Sequence, residues 1–272
     1  MKLTTIIETE YESLYQTSKE SDLFHNSANK KNVKNLVDLF YTWKKLHIHT
    51  ISTSLVSHNA ACHYGIEMAE KLTYTKEDIT QVCFEIDPFK ITNGQFLFSL
   101  FLGEIIQAHY AKIKEIVPYK KNEPYKIVTT QFDELLDSFG YKNSGPTIEV
   151  FGNLGDNTAN QMESGKIIIH GDTKDLTGFG MTGGSIIVEG DTRAFTGCEM
   201  HKGFIHVKGS TREFMGSSMT SGVIKIDGAI GAIKNVYDAQ SPEEYARYFK
   251  YEKEKKGKKA VIIHQGKKVF EK

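Results

Sequence analysis

The sequence predicts an α+β protein. Its centre is a parallel β-helix built from 19-residue coils, preceded by a mainly α-helical domain and followed by a small cap of one helix and a short β-hairpin. Three observations predict this. Of the 23 glycines in 272 residues, 18 fall between Gly140 and Gly231. Within that region three consecutive blocks, Lys166–Gly184, Ser185–Gly203 and Phe204–Gly222, repeat one pattern without insertion. Their period is too short for helical-hairpin repeats but suits one coil of a solenoid. On either side, the apolar residues take up helical spacing.

The first domain, residues 1–143, reads as helical. From Asn32 to Leu55, Val33, Leu36, Val37, Phe40, Trp43 and Leu46 line one face, and the spacing continues through Ile66 and Met68. Thr75-Lys76-Glu77-Asp78 forms a capping box before Ile79, Val82 and Cys83, and Asn93 caps a helix running through Ile113. Pro88 and Pro118 punctuate these segments. The apolar run Phe96 to Ile106 is too short to span a bilayer and carries Glu104, so it reads as a buried helix. A short strand over Tyr125 to Val128 and a helix over Gln131 to Phe139 are expected next. Ser144-Gly145-Pro146 is a turn where the composition shifts, which sets the domain boundary at 143/144.

The second domain, residues 144–235, holds the repeat. Lys166 to Gly184 (KIIIHGDTKDLTGFGMTGG), Ser185 to Gly203 (SIIVEGDTRAFTGCEMHKG) and Phe204 to Gly222 (FIHVKGSTREFMGSSMTSG) align directly. A degenerate unit precedes them at Thr147 and a partial one follows at Val223. Ile148, Ile167, Ile186, Ile205 and Ile224 open strands whose alternate residues face inward. Three glycine columns mark repeated turns: Gly171, Gly190, Gly209; Gly178, Gly197, Gly216; and Gly184, Gly203, Gly222. Met162, Met181, Met200 and Met219 form one further inward ladder, and Leu176, Phe195, Phe214 and Ile233 are expected to form another. Stacking coils about 4.8 Å apart would place like residues over like and bury a continuous apolar column.

The stretch Gly178-Phe-Gly-Met-Thr-Gly-Gly-Ser-Ile-Ile-Val-Glu-Gly-Asp-Thr-Arg193 resembles the GXGXG repeat domain. That domain is shared by the C-terminal part of the glutamate synthase large subunit and by one subunit of formylmethanofuran dehydrogenase. The likeness runs from Thr147 to Asn235, about a third of the chain. It implies a right-handed parallel β-helix that packs against catalytic neighbours and supplies no catalytic residue. The last coils depart from the pattern, with Ser210 in the place of Asp172 and Asp191, and Ile230 in the place of Thr173, Thr192 and Thr211. The chain up to Gly140 does not resemble the family's catalytic domains.

Residues 236–272 return to helical spacing at Ser241-Pro-Glu-Glu244, with an N-cap serine and proline at the first helical position. After a lysine-rich stretch, Ala260 to His264, Gln265-Gly266 and Lys267 to Phe270 read as strand, turn and strand. Such a cap, like the helical domain at the other end, covers strand edges that a solenoid leaves open.

Composition narrows the function. With 34 basic and 34 acidic residues the formal net charge is zero, which argues against nucleic-acid and membrane-surface binding. Three scattered cysteines give no disulfide framework, and the acidic N-terminus lacks the layout of a signal peptide, so a cytoplasmic protein is expected. Gly178 to Gly183 spells GxGxxG, but a strand rather than a helix follows it, so a structural turn is expected instead of a dinucleotide site. Asp172 and Asp191 read as turn-capping side chains. The one metal-like cluster is His47, His58 and Cys62, with His49 and His63 nearby, where zinc or iron could bind if these side chains share a helical face.

Two readings follow. One is a non-catalytic assembly subunit, with no cofactor of its own, that contacts glutamine amidotransferase-like and flavin-dependent synthase-like partners or a second copy of itself. Glu189, Arg193, His206 and Lys208 are candidate contacts. The other is a stand-alone enzyme or ligand-binding protein built around the His/Cys cluster. A third possibility, a regulatory module, would use the apolar helix Gln95 to Ile106 as its surface.

Overall fold

The computed structural model describes residues 27–47, 66–90, 94–116, 123–132, 134–230 and 260–271. Three helices come first: α1 (Ser27–His47), α2 (Lys76–Glu85) and α3 (Gly94–Ile116), with a 3-10 turn at Pro88–Lys90. Eight strands follow: β1 (Tyr125–Val128), β2 (Ser144–Phe151), β3 (Ser164–His170), β4 (Ser185–Val188), β5 (Phe204–Val207), β6 (Gly222–Ile226), β7 (Ala260–His264) and β8 (Lys267–Glu271). They form one sheet in chain order, parallel from β1 to β7, with β8 antiparallel at the edge. A parallel sheet whose neighbours are consecutive requires a full coil between strands, so this is a parallel β-solenoid.

The repeat period sets the pairing register. Ile167 lies beside Ile186, Ile186 beside Ile205, and Ile205 beside Ile224. These residues are buried, as are Val150, Ile169, Val188, Val207 and Ile226 two positions on, because alternate residues of a strand face the same way. Met162, Met181, Met200 and Met219 fill the coil interior from the segments between strands. Their unbranched side chains suit the irregular space left between branched strand residues.

The Leu176, Phe195 and Phe214 column points outward, contrary to the sequence expectation. Each of these residues has φ near +60°, as do Ser138 and Asn157 in the same register, which turns the side chain away from the interior and leaves it half-buried. Ile233 lies outside the described residues. Threonines occupy the inside instead. Thr173 bonds Thr177 at 2.7 Å and Thr196 bonds Thr192 at 2.8 Å, so each buried hydroxyl satisfies another.

The parallel sheet also starts earlier than the 144 boundary. Tyr125 pairs with Ile148, a longer step along the chain than the one from Ile148 to its partner Ile167. The first coil is therefore longer than the 19-residue coils that follow it, which hides it from a strict alignment of the repeat. Gln131 to Phe139 belongs to the turn region of this coil and not to a helix: Ser138 donates to the Asp156 carbonyl at 2.8 Å, and Gly155 donates to the Leu136 carbonyl at 2.9 Å. Bonds to the next coil replace helical bonds here.

At the far end the expected hairpin forms. Gln265 and Gly266, at φ 47° and 76°, make a two-residue turn of the type that suits twisted strands. β7 extends the parallel sheet, Ile262 lying beside Ile224. The expected helix at Ser241 lies outside the described residues.

The helices cover the β1 end. α1 and α3 meet through Phe40, Phe98 and Phe101, with ring centroids 5.5 and 5.2 Å from Phe40, and Trp43 sits 6.2 Å from Phe101. Thr75 and Asp78 make the expected capping box at the start of α2. Thr80 donates to the Lys126 carbonyl of β1 at 2.7 Å, and Gln131 donates to the Cys83 carbonyl at 3.0 Å. A methyl at Gly145 would lie 2.5 Å from the Tyr110 ring, so a glycine there lets α3 approach the sheet. Leu97, Phe98, Leu100, Phe101, Leu102, Ile105 and Ile106 are all buried, so α3 is core and offers no apolar docking face. No described helix is long and apolar enough to cross a membrane.

Candidate functional site

Of the expected metal cluster, His47 is the final residue of α1, while His58 and Cys62, with His49 and His63, lie outside the described residues. Among the described residues no group of three or more His, Cys, Asp or Glu side chains could hold a metal ion. Cys83 and Cys198 are both buried. Burial pushes the Cys83 thiol up to about 12, because the thiolate loses its solvation, so it is no nucleophile at neutral pH.

A second set of titratable groups lies where the helices meet β1. His109 Nδ1 is 2.9 Å from the Tyr125 hydroxyl, and Tyr74 donates to the Ile105 carbonyl at 3.0 Å. Burial, and then the nearby Lys76 ammonium, lower the His109 pKa; burial raises both tyrosines. All three are therefore neutral at physiological pH. The cluster acts as a polar clamp between α3 and the first strand.

The GxGxxG stretch is a corner of the solenoid. Gly178 has φ 70°, and a methyl there would lie 2.6 Å from Ile205 Cδ1. Strand β4 begins at Ser185, so no helix N-terminus is available for a pyrophosphate.

Among the described residues, further polar side chains form columns on the outside of the coils. In the first, each side chain caps the next coil: Asn153, Asp172 and Asp191 accept from the backbone N–H 19 residues later at 2.7, 2.8 and 2.6 Å. Ser210 continues the pattern to Ala229 at 3.1 Å, so the change from aspartate keeps the bond. Asp137, Asp156 and Asp175 build a parallel column at 2.8, 2.9 and 3.0 Å. The turn-capping role thus operates between coils and not within one.

On the outer face of the sheet carboxylates bond imidazole and lysine side chains of neighbouring coils. His170 bridges Glu149 at 2.7 Å and Glu189 at 3.0 Å, Lys208 bonds Glu189, and Asp227 pairs with His206 at 2.6 Å and Lys225 at 2.9 Å. Burial alone would raise the Glu189 carboxyl, but hydrogen bonds from Lys208 and His170 override it and hold it below the usual carboxylate range. Bonds from Lys225 and then His206 likewise lower Asp227. A depressed carboxyl stabilises the fold above its unfolded pKa, and that contribution is lost as pH falls through the folded value. Acidification below about pH 4.5 is therefore expected to cost stability. Glu189→Gln should lose less on going from pH 6 to acid, measured by urea unfolding; an equal loss in both proteins would rule out this contribution.

The third column is apolar. Phe195 and Phe214 stack with centroids 4.8 Å apart and planes 12° from parallel, with Leu176 one coil before them. Sequence reading misplaced these residues because leucine and phenylalanine rarely take φ near +60°. Asn157 in the same register was the available signal, since asparagine tolerates this conformation. The described surface thus carries repeated capping, ionic and apolar columns, while Tyr74, Cys83, His109 and Tyr125 are held neutral.

No protein-family model matches this chain, and no curated protein matches it. The resemblance to the GXGXG domain accordingly rests on the repeat register and its glycines.

Proposed function

We propose that the chain is a non-catalytic structural or assembly subunit, with a role like that of the GXGXG subunits in glutamate-synthase-like and formylmethanofuran-dehydrogenase-like complexes. The observation that carries this reading is the Leu176, Phe195 and Phe214 column. Three apolar side chains are held half-exposed by backbone conformations that each cost about 1 kcal/mol in a non-glycine residue. Glycine or asparagine would make the same turn with less strain, so an outward apolar stripe on a stiff column suits a contact surface. The partners are a glutamine amidotransferase-like and a flavin-dependent synthase-like protein, and the solenoid holds them at a fixed separation without a cofactor of its own.

Asparagine accepts the same backbone conformation, so Phe195→Asn/Phe214→Asn removes the stripe while sparing the coil. Affinity capture at native expression, followed by mass spectrometry, is expected to recover such partners with the unaltered chain and to lose them with the double variant. Equal recovery with both, in a variant that keeps its Tm, would remove the stripe from the interface. Recovery of neither partner type would remove this assembly role.

A further inference from the structure

One column does not follow the pattern of the others. Along the outer sheet, carboxylates meet hydrogen-bonding partners, Glu149 and Glu189 at His170 and Glu189 at Lys208. The corner formed by residues 172–174 and their repeats differs. Lys174, Arg193 and Arg212 share one register position and stack cation on cation, with the two arginines exposed. None of the three belongs to the ion pairs of the described residues, and Lys174 acts on Asp137 only through its charge.

These cations form one wall of a groove of about 380 Å³ running across successive coils. Asp172, Asp191 and Ser210 line the same groove. These acids have a structural task, since each spends one oxygen on the backbone N–H of the next coil. Among the described residues no comparable bond occupies the guanidinium groups. Like charges stacked at the coil rise repel one another, and no ion pair among the described residues offsets that repulsion. The groove has the volume of a small-molecule site.

We infer that this groove binds a small molecule carrying at least two anionic groups, phosphate or carboxylate, spaced to meet Arg193 and Arg212 on adjacent coils. Each guanidinium offers a planar fork that takes an anionic group in two parallel hydrogen bonds. Lys174 adds a point charge at the end of the row, and Asp172 and Asp191 accept from hydroxyls of the same molecule. A single anionic group reaches one fork and gains little beside Asp172 and Asp191, so valence is the selecting property. This site is independent of the apolar stripe and of any assembly role.

Isothermal titration of the full-length protein with pyrophosphate and with citrate, at constant ionic strength, tests this directly. Orthophosphate and acetate serve as single-group controls. Saturable binding of pyrophosphate or citrate is expected, with the preferred probe separating a phosphate ligand from a carboxylate one. Arg193→Gln/Arg212→Gln should weaken that binding at least tenfold, Arg193→Lys by less, and Lys202→Gln at an exposed position outside the groove not at all. Each single arginine variant carries the same comparison if the double variant fails to fold. Absence of binding by both multivalent probes, binding unchanged in the arginine variants, or single-group anions binding equally well would overturn the site.

Discussion

Gly190→Ala is expected to destabilise the solenoid by about 3 kcal/mol. The added methyl would collide with Asp172 Oδ1 and lie 2.7 Å from the Gly171 oxygen and 2.8 Å from its carbon. The Asp172 side chain can swing aside, at the loss of its bond to the Asp191 N–H. The Gly171 main chain cannot, because it accepts from the Gly190 N–H at 3.0 Å. Relief therefore means parting two coils, which loses one or two hydrogen bonds of about 1 kcal/mol each and disturbs the packing below. Differential scanning calorimetry should show Tm lowered by about 6–12 °C. Gly103→Ala, mid-helix in α3 with nothing within 4 Å of the added methyl, should raise stability by about 0.5–1 kcal/mol. If both variants shift Tm alike, coil stacking does not explain the regular spacing of glycines along this chain.

Phe40→Ala should have an effect of similar size in the helical layer. Phe40 is fully buried and touches Phe98 and Phe101, and truncating such a ring costs about 3–5 kcal/mol. Trp43, the chain's one tryptophan, is buried on the same helix beside Phe101, so its fluorescence reports unfolding of this layer. Guanidinium unfolding followed by Trp43 emission should shift to lower denaturant in Phe40→Ala. A midpoint unchanged within error would show that the α1–α3 contact contributes little.

Much of the fold was legible because the repeat makes one local pattern appear several times. Ile167, Ile186, Ile205 and Ile224 align in sequence for the same reason that they stack in space, and the methionine column follows with them. The Thr75 capping box and the Gln265-Gly266 turn were legible from local chemistry alone. The first coil was not, because its extra length breaks the period between β1 and β2. The facing of Leu176, Phe195 and Phe214 was misread for a different reason: hydrophobicity argues for the inside, while backbone torsion, invisible in composition, decides the outside. Buried Thr173, Thr192 and Thr211 form the converse case, since hydroxyls can lie inside once they pair with each other or with carbonyls. At the candidate surface, the aligned repeats already set Lys174, Arg193 and Arg212 in one line, but that they have no ionic partner among the described residues required the folded arrangement.

The capping column of Asn153, Asp172, Asp191 and Ser210 has a polarity. Each side chain reaches the coil that follows it, never the one before. Removing a C-terminal coil leaves a carboxylate or hydroxyl that water satisfies readily, whereas removing an N-terminal coil leaves a backbone N–H without its fixed acceptor. A chain emerging from the ribosome therefore meets, at every turn, an acceptor already in place, and the solenoid carries within its own side chains a direction of growth that matches the direction of synthesis.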